Sequence, residues 1–149
     1  MASIEQIKQL REMTGISISE CKKALEQAGE NMEKAKALLK EWGRGVAAKK
    51  QERVVGEGRV ASYVHGTGKI GSLVAVKCET DFVARSEDFK NLCHELTLQV
   101  ASLDAENVEE LLSQQYIKDS SKTVKDVVGE CVAKLGENIV VEKFARFSL

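Results

Sequence analysis

The chain has 149 residues, of which 43% are hydrophobic, 30% charged and only 5% aromatic, with a formal net charge of −1. That balance belongs to a globular chain with a core to bury and excludes a disordered one. The near-neutral charge excludes any bulk attraction to nucleic acid or anionic lipid.

The first 43 residues read as three short helices. Ser3 stands three residues before Gln6, the spacing of a capping box, ahead of Ile4, Ile7 and Leu10, and Thr14-Gly15 closes that helix. Ser17 and Glu20 repeat the signal before Ile18, Cys21, Ala24, Leu25 and Ala28, with Gly29 as the stop. Asn31 opens a third helix with Met32, Ala35, Leu38, Leu39 and Trp42 on one face, expected to end at Gly43. Helices this short can bury their apolar stripes only against one another, so a three-helix bundle is predicted over 1–43. Its Thr-Gly turn and Leu-Leu pair resemble a ubiquitin-associated-type bundle. Residues 44–54 carry Lys49, Lys50 and Arg53 among small residues. They suit either a solvated connector helix or a basic strip that meets an acidic partner.

Residues 55–149 read as a mixed unit. Val60–His65 and Ile70–Cys78 alternate as strands about the Gly66-Thr67-Gly68-Lys69 turn. Ser86 is placed to cap a helix bearing Phe89, Leu92, Cys93, Leu96 and Val100, and a short helix is expected over 105–115. Thr123–Leu135 carries an apolar face ended by Gly136, and Ile139–Phe147 is the last strand. The predicted class is α+β, a three-stranded antiparallel sheet with helices packed on one face. A sheet with one helix-free face and two edges is a physical reason to expect self-association.

No phosphate-binding glycine loop and no nucleophile elbow is present. Cys21, Cys78, Cys93 and Cys131 form no C-x-x-C pair, and His65 and His94 lack partners at ligand spacing, so no metal and no cofactor is expected. No charged-then-apolar leader is seen at Met1–Glu5, and no apolar run nears the roughly 20 residues that span a bilayer. A cytoplasmic protein with reduced thiols is expected. Cys78 or Cys93 with His94 leaves a thiol nucleophile open.

The informative segment is Cys78-Glu79-Thr80-Asp81-Phe82-Val83-Ala84-Arg85, between a strand and a helix, where polar residues would be ordinary. Phe82 either folds back onto the hairpin while Asp81 caps a helical turn, or it projects as an aromatic anchor for another protein.

Thr80-Asp81-Phe82-Val83-Ala84 resembles the signature of bacterial elongation factor Ts. Leu10-Arg11-Glu12-Met13-Thr14-Gly15 with Cys21-Lys22-Lys23-Ala24-Leu25 is similar to that family's first helical motif. Ala47-Ala48-Lys49-Lys50 is similar to its linker, and Lys134-Leu135-Gly136-Glu137-Asn138-Ile139 to its K-[IL]-G-E-N segment. The resemblance implies a nucleotide exchange factor without a catalytic site, which promotes GDP release from elongation factor Tu and acts in translation. It implies that Thr80, Asp81, Phe82 and Val83 disturb the partner's magnesium site, with Phe82 as the intruding residue. It places Arg11, Ile18, Ser19 and Lys22 of the bundle, and Leu135 and Gly136, against the partner. It also implies a homodimer through the α+β core. The chain departs from the family at several places. Ile18 and Ser19 stand where the family has paired Met residues, and Ala145 where some members carry a Cys. The extra helical sequence that short members have before the segment near Tyr116 is missing. A second expectation is a binding module that uses the bundle to hold a ubiquitin-like or nascent-chain partner.

Overall fold

A computed structural model describes residues 1–149. Helices α1 (Ile4–Thr14), α2 (Ile18–Gln27) and α3 (Met32–Lys50) open the chain. Ser3, Ser17 and Asn31 cap them as expected, each accepting from the backbone N–H three residues on. The Ser3–Gln6 box is complete, whereas the Ser17 hydroxyl donates to the Glu20 carboxylate at 3.2 Å in place of the second backbone bond. Leu10, Cys21, Ala24, Leu25, Ala35 and Leu39 form the buried centre of the bundle.

The sheet follows in the expected form. Strands β1 (Glu57–His65), β2 (Ile70–Cys78) and β5 (Ile139–Ser148) are antiparallel in the order β1-β2-β5. Helices α4 (Asp81–Ala84), α5 (Glu87–Ser102), α6 (Val108–Ser113) and α7 (Val124–Leu135) accompany the sheet. Val74, Val76 and Cys78 of β2 and Ile139 and Val141 of β5 share one core with Phe89, Leu92, Leu96, Val100, Val128 and Val132 of α5 and α7. Alternation sends the other residues of these strands to the helix-free face, where Val60, Val64, Leu73, Val140 and Phe147 are exposed.

Two local expectations are corrected. The third helix does not end at Gly43: it runs on to Lys50, because its second half packs along α7. Small residues make that contact close, since a methyl group at Gly43 would meet Ala133 Cβ at 3.8 Å and one at Gly129 would meet Ala47 Cβ at 3.6 Å. Arg44 grips Asp126 with two hydrogen bonds of 2.8 and 3.1 Å, and Lys50 Nζ donates to Gly136 O at 2.6 Å. The helix expected over 105–115 is confined to Val108–Ser113, capped by Asn107. A small ribbon of β3 (Gln115–Tyr116) and β4 (Asp119–Thr123) then leads into α7. No helix is long and apolar enough to cross a membrane.

Candidate functional site

The strand β2 ends at Cys78, and after Glu79 and Thr80 the chain turns into α4. Thr80 is extended and caps the turn, its Oγ1 accepting from Val83 N at 3.3 Å. The Cys78 thiol donates to Thr80 O at 3.2 Å. Val83 and Ala84 are 4% and 3% exposed and belong to the main core, so α4 is anchored from below. Phe82, between Asp81 and Val83, is 80% exposed. A phenyl ring left in water while its neighbour is buried has no local packing role, and the inward-folding alternative for Phe82 is excluded. Asp81 is also exposed and pairs with Arg85 Nε at 3.0 Å one turn on. Of the four residues of this edge, Asp81 and Phe82 face outward, Thr80 shapes the turn and Val83 anchors it.

The turn is also held from the side. Cys78 and Ile139 are the last paired residues of β2 and β5 at this end. Beyond them two carboxylates continue the pairing. Glu137 accepts from Glu79 N at 3.0 Å, Thr80 N at 2.9 Å and Thr80 Oγ1 at 2.6 Å. Glu79 in return accepts from Asn138 N at 2.6 Å and lies 3.7 Å from Arg53. The buried Asn138 side chain donates to the carbonyls of Gln51 and Arg53, just past α3.

Leu135 and Gly136 close α7, Leu135 half-buried against the core and Gly136 in the left-handed conformation at φ 76°. Arg11 and Ile18 line a groove of about 570 Å³ between bundle and core, with Ile4, Lys8, Gly15 and Lys134 also on its walls. Lys134 Nζ reaches on to Asp88 at 3.1 Å, in the first turn of α5. The structure thus brings Arg11 and Ile18 beside the end of α7. Ser19 and Lys22 are exposed on α2 outside that groove.

The thiols are poorly suited to nucleophilic work. Burial raises Cys78 to about 11 and Cys93 to about 12, so neither supplies a thiolate near neutral pH.

Comparison with known proteins decides the family. The family model described as "Elongation factor TS" matches residues 79–149. The elongation factor Ts of Coprothermobacter proteolyticus is 42% identical over 192 aligned positions, covering 99% of this chain and 98% of the relative. That of Thermoanaerobacter sp. is 40% identical, covering 99% and 94%. The chain belongs to the elongation factor Ts family. It is a translation elongation factor by that membership. The Coprothermobacter alignment runs over 192 positions against 149 residues here, so at least 43 positions of it have no residue in this chain. The elongation factor Ts of Clostridium acetobutylicum is 47% identical over 148 positions, covering 99% of this chain but only 48% of the relative. The chain therefore matches about half of that longer relative almost without gaps.

Sequence reasoning singled out Thr80–Val83 but gave Glu79 no role, and it met Glu137 and Asn138 only within a resemblance. The available signal was their place: both stand directly before a strand whose first residue pairs with the residue before Glu79.

Proposed function

We propose that this chain is the guanine-nucleotide exchange factor for elongation factor Tu, acting in the cytoplasm and without a catalytic site of its own. The observation that carries the reading is the exposed Phe82 ring on a one-turn helix whose next two residues are sunk in the core. An apolar knob on an anchored turn suits a partner pocket, because the backbone that carries it is already ordered before binding. Phe82 acts as a wedge near the partner's magnesium, and Asp81 meets the GTPase beside it. Mg²⁺ demands near-ideal octahedral geometry, so displacing its surroundings by about an ångström weakens both the metal and GDP. The coupling is reciprocal: a factor that weakens GDP binding is itself bound less tightly when nucleotide returns, and GTP completes the exchange.

Within this reading residues 1–43 form a docking bundle, 44–54 an arm, and 55–149 the core that carries the wedge. Arg11, Ile18, Ser19 and Lys22 hold the partner through the bundle, and Leu135 and Gly136 approach it from the end of α7. A second copy of the chain packs on the helix-free sheet face.

The test is the release of fluorescent GDP from elongation factor Tu. Wild type should accelerate it, and Phe82→Ala should lose about tenfold or more of that acceleration, the scale of a central interface anchor. No acceleration by wild type would overturn the reading. Full acceleration by Phe82→Ala would remove the wedge and leave the docking.

A further inference from the structure

We infer that Glu137 is a positioning residue for the exchange wedge, acting through the backbone of Glu79 and Thr80 and touching no part of the partner; the inference rests on the exchange reading. The geometry is a side-chain continuation of the sheet. Main-chain pairing between β2 and β5 stops at Cys78 and Ile139. One more step in that register would oppose Glu79 to Asn138, and a second would oppose Thr80 to Glu137. Glu137 takes three hydrogen bonds there, two from backbone amides and one from the Thr80 hydroxyl, at 2.6 to 3.0 Å. The Thr80 oxygen that donates to Glu137 also accepts from Val83 N, so the carboxylate fixes the hydroxyl that caps α4.

Residues 79 and 80 are thus clamped from one side while Val83 and Ala84 are anchored in the core. Phe82, two residues past the clamp, has no packing of its own to fix its direction. Its aim comes from the turn that carries it. Removing the carboxylate leaves two amides and a hydroxyl to water and frees the start of α4 to swing. A wedge works by placement, and a misplacement of about an ångström can cost on the order of a hundredfold in rate.

Three substitutions separate this from a general loss of structure. Glu137→Gln keeps an oxygen for both amides and an NH₂ group that donates to Thr80 Oγ1. Glu137→Asp keeps the charge on a shorter stem that cannot reach all three donors. Glu137→Ala removes the clamp. GDP release from elongation factor Tu is measured against factor concentration, with circular dichroism of each variant. For Glu137→Ala the maximal release rate should fall about tenfold, while the half-saturating concentration moves less than about threefold, because bundle contacts are untouched. Glu137→Asp should fall as well and carries the test if Glu137→Ala does not fold, and Glu137→Gln should stay within about threefold of wild type. A folded Glu137→Ala or Glu137→Asp with the full maximal rate would overturn the positioning role while leaving the exchange reading intact. A loss seen only in the half-saturating concentration would overturn it too, assigning Glu137 to binding. Failure of wild type to release GDP would overturn the exchange reading and this inference with it.

Discussion

At the scale of single residues, two carboxylates do opposite work in similar settings. Asp81 is exposed and pairs only with Arg85 of its own turn, whereas Asp126 is spent on joining two helices. Asp126 completes the capping box of α7, accepting from Thr123 N at 3.1 Å, and holds Arg44 of α3. The Arg44 hydrogen bonds, with the Thr123 amide behind them, drive the Asp126 carboxyl well below the usual range. Because the folded state lowers this pKa, the stabilisation is complete above the ordinary carboxylate value of about 4 and fades as pH falls below it. Asp126→Ala should cost about 1–2 kcal/mol at neutral pH, through the lost bonds from Arg44 and from Thr123 N, while the Thr123 cap itself survives. Arg44 is largely in water, which holds its share to the lower part of that range. Urea unfolding across pH should show the gap between variant and wild type closing on the acid side. A gap that widened there would contradict this assignment.

At the scale of elements, α3 is the instructive case. Gly43 and Gly45 within a run of small residues read as a stop and a connector, yet the helix passes through both. Helix propensity is a weak prior, and packing along α7 overrides it. A methyl group at Gly45 would meet nothing within 4 Å. Gly45→Ala should therefore raise stability by about 0.5–1 kcal/mol, measured by thermal unfolding. An unchanged or lowered midpoint would mean a loose connector. Elements with strong local signals were legible without the structure: the Ser3, Asn31 and Ser86 caps, the Gly15 and Gly136 stops, and the alternation of β2. What escaped depended on distant partners. The β3–β4 ribbon is too short and polar for alternation to show, and Glu137 has meaning only once β5 lies beside β2. The direction of Phe82 was equally undecidable from spacing, because a buried and an exposed loop phenylalanine leave the same local pattern.

At the scale of the whole molecule, the sheet divides the chain into a covered face and an open one. Leu73 on the central strand is 47% exposed, opposite Ser62 of β1 and Ala145 of β5. An apolar centre flanked by Val60, Val64 and Phe147 suits a second copy of the same face. Leu73→Lys points into water in the single chain, so under the proposed homodimer it should leave circular dichroism unchanged while sedimentation shifts from dimer to monomer. A dimer that survived Leu73→Lys would place the contact elsewhere. The length of α3 carries a consequence of another kind. Its 19 residues make a rod of about 28 Å whose far half is clamped to α7 by Arg44 and Lys50. One residue added between Trp42, the last residue of α3 packed in the bundle, and the clamp at Arg44 would advance the bundle by about 1.5 Å and turn it through about 100°, swinging Arg11 and Ile18 away from Lys134. The arm is both a spacer and a dial, and only changes close to whole helical turns keep the bundle in phase with the core.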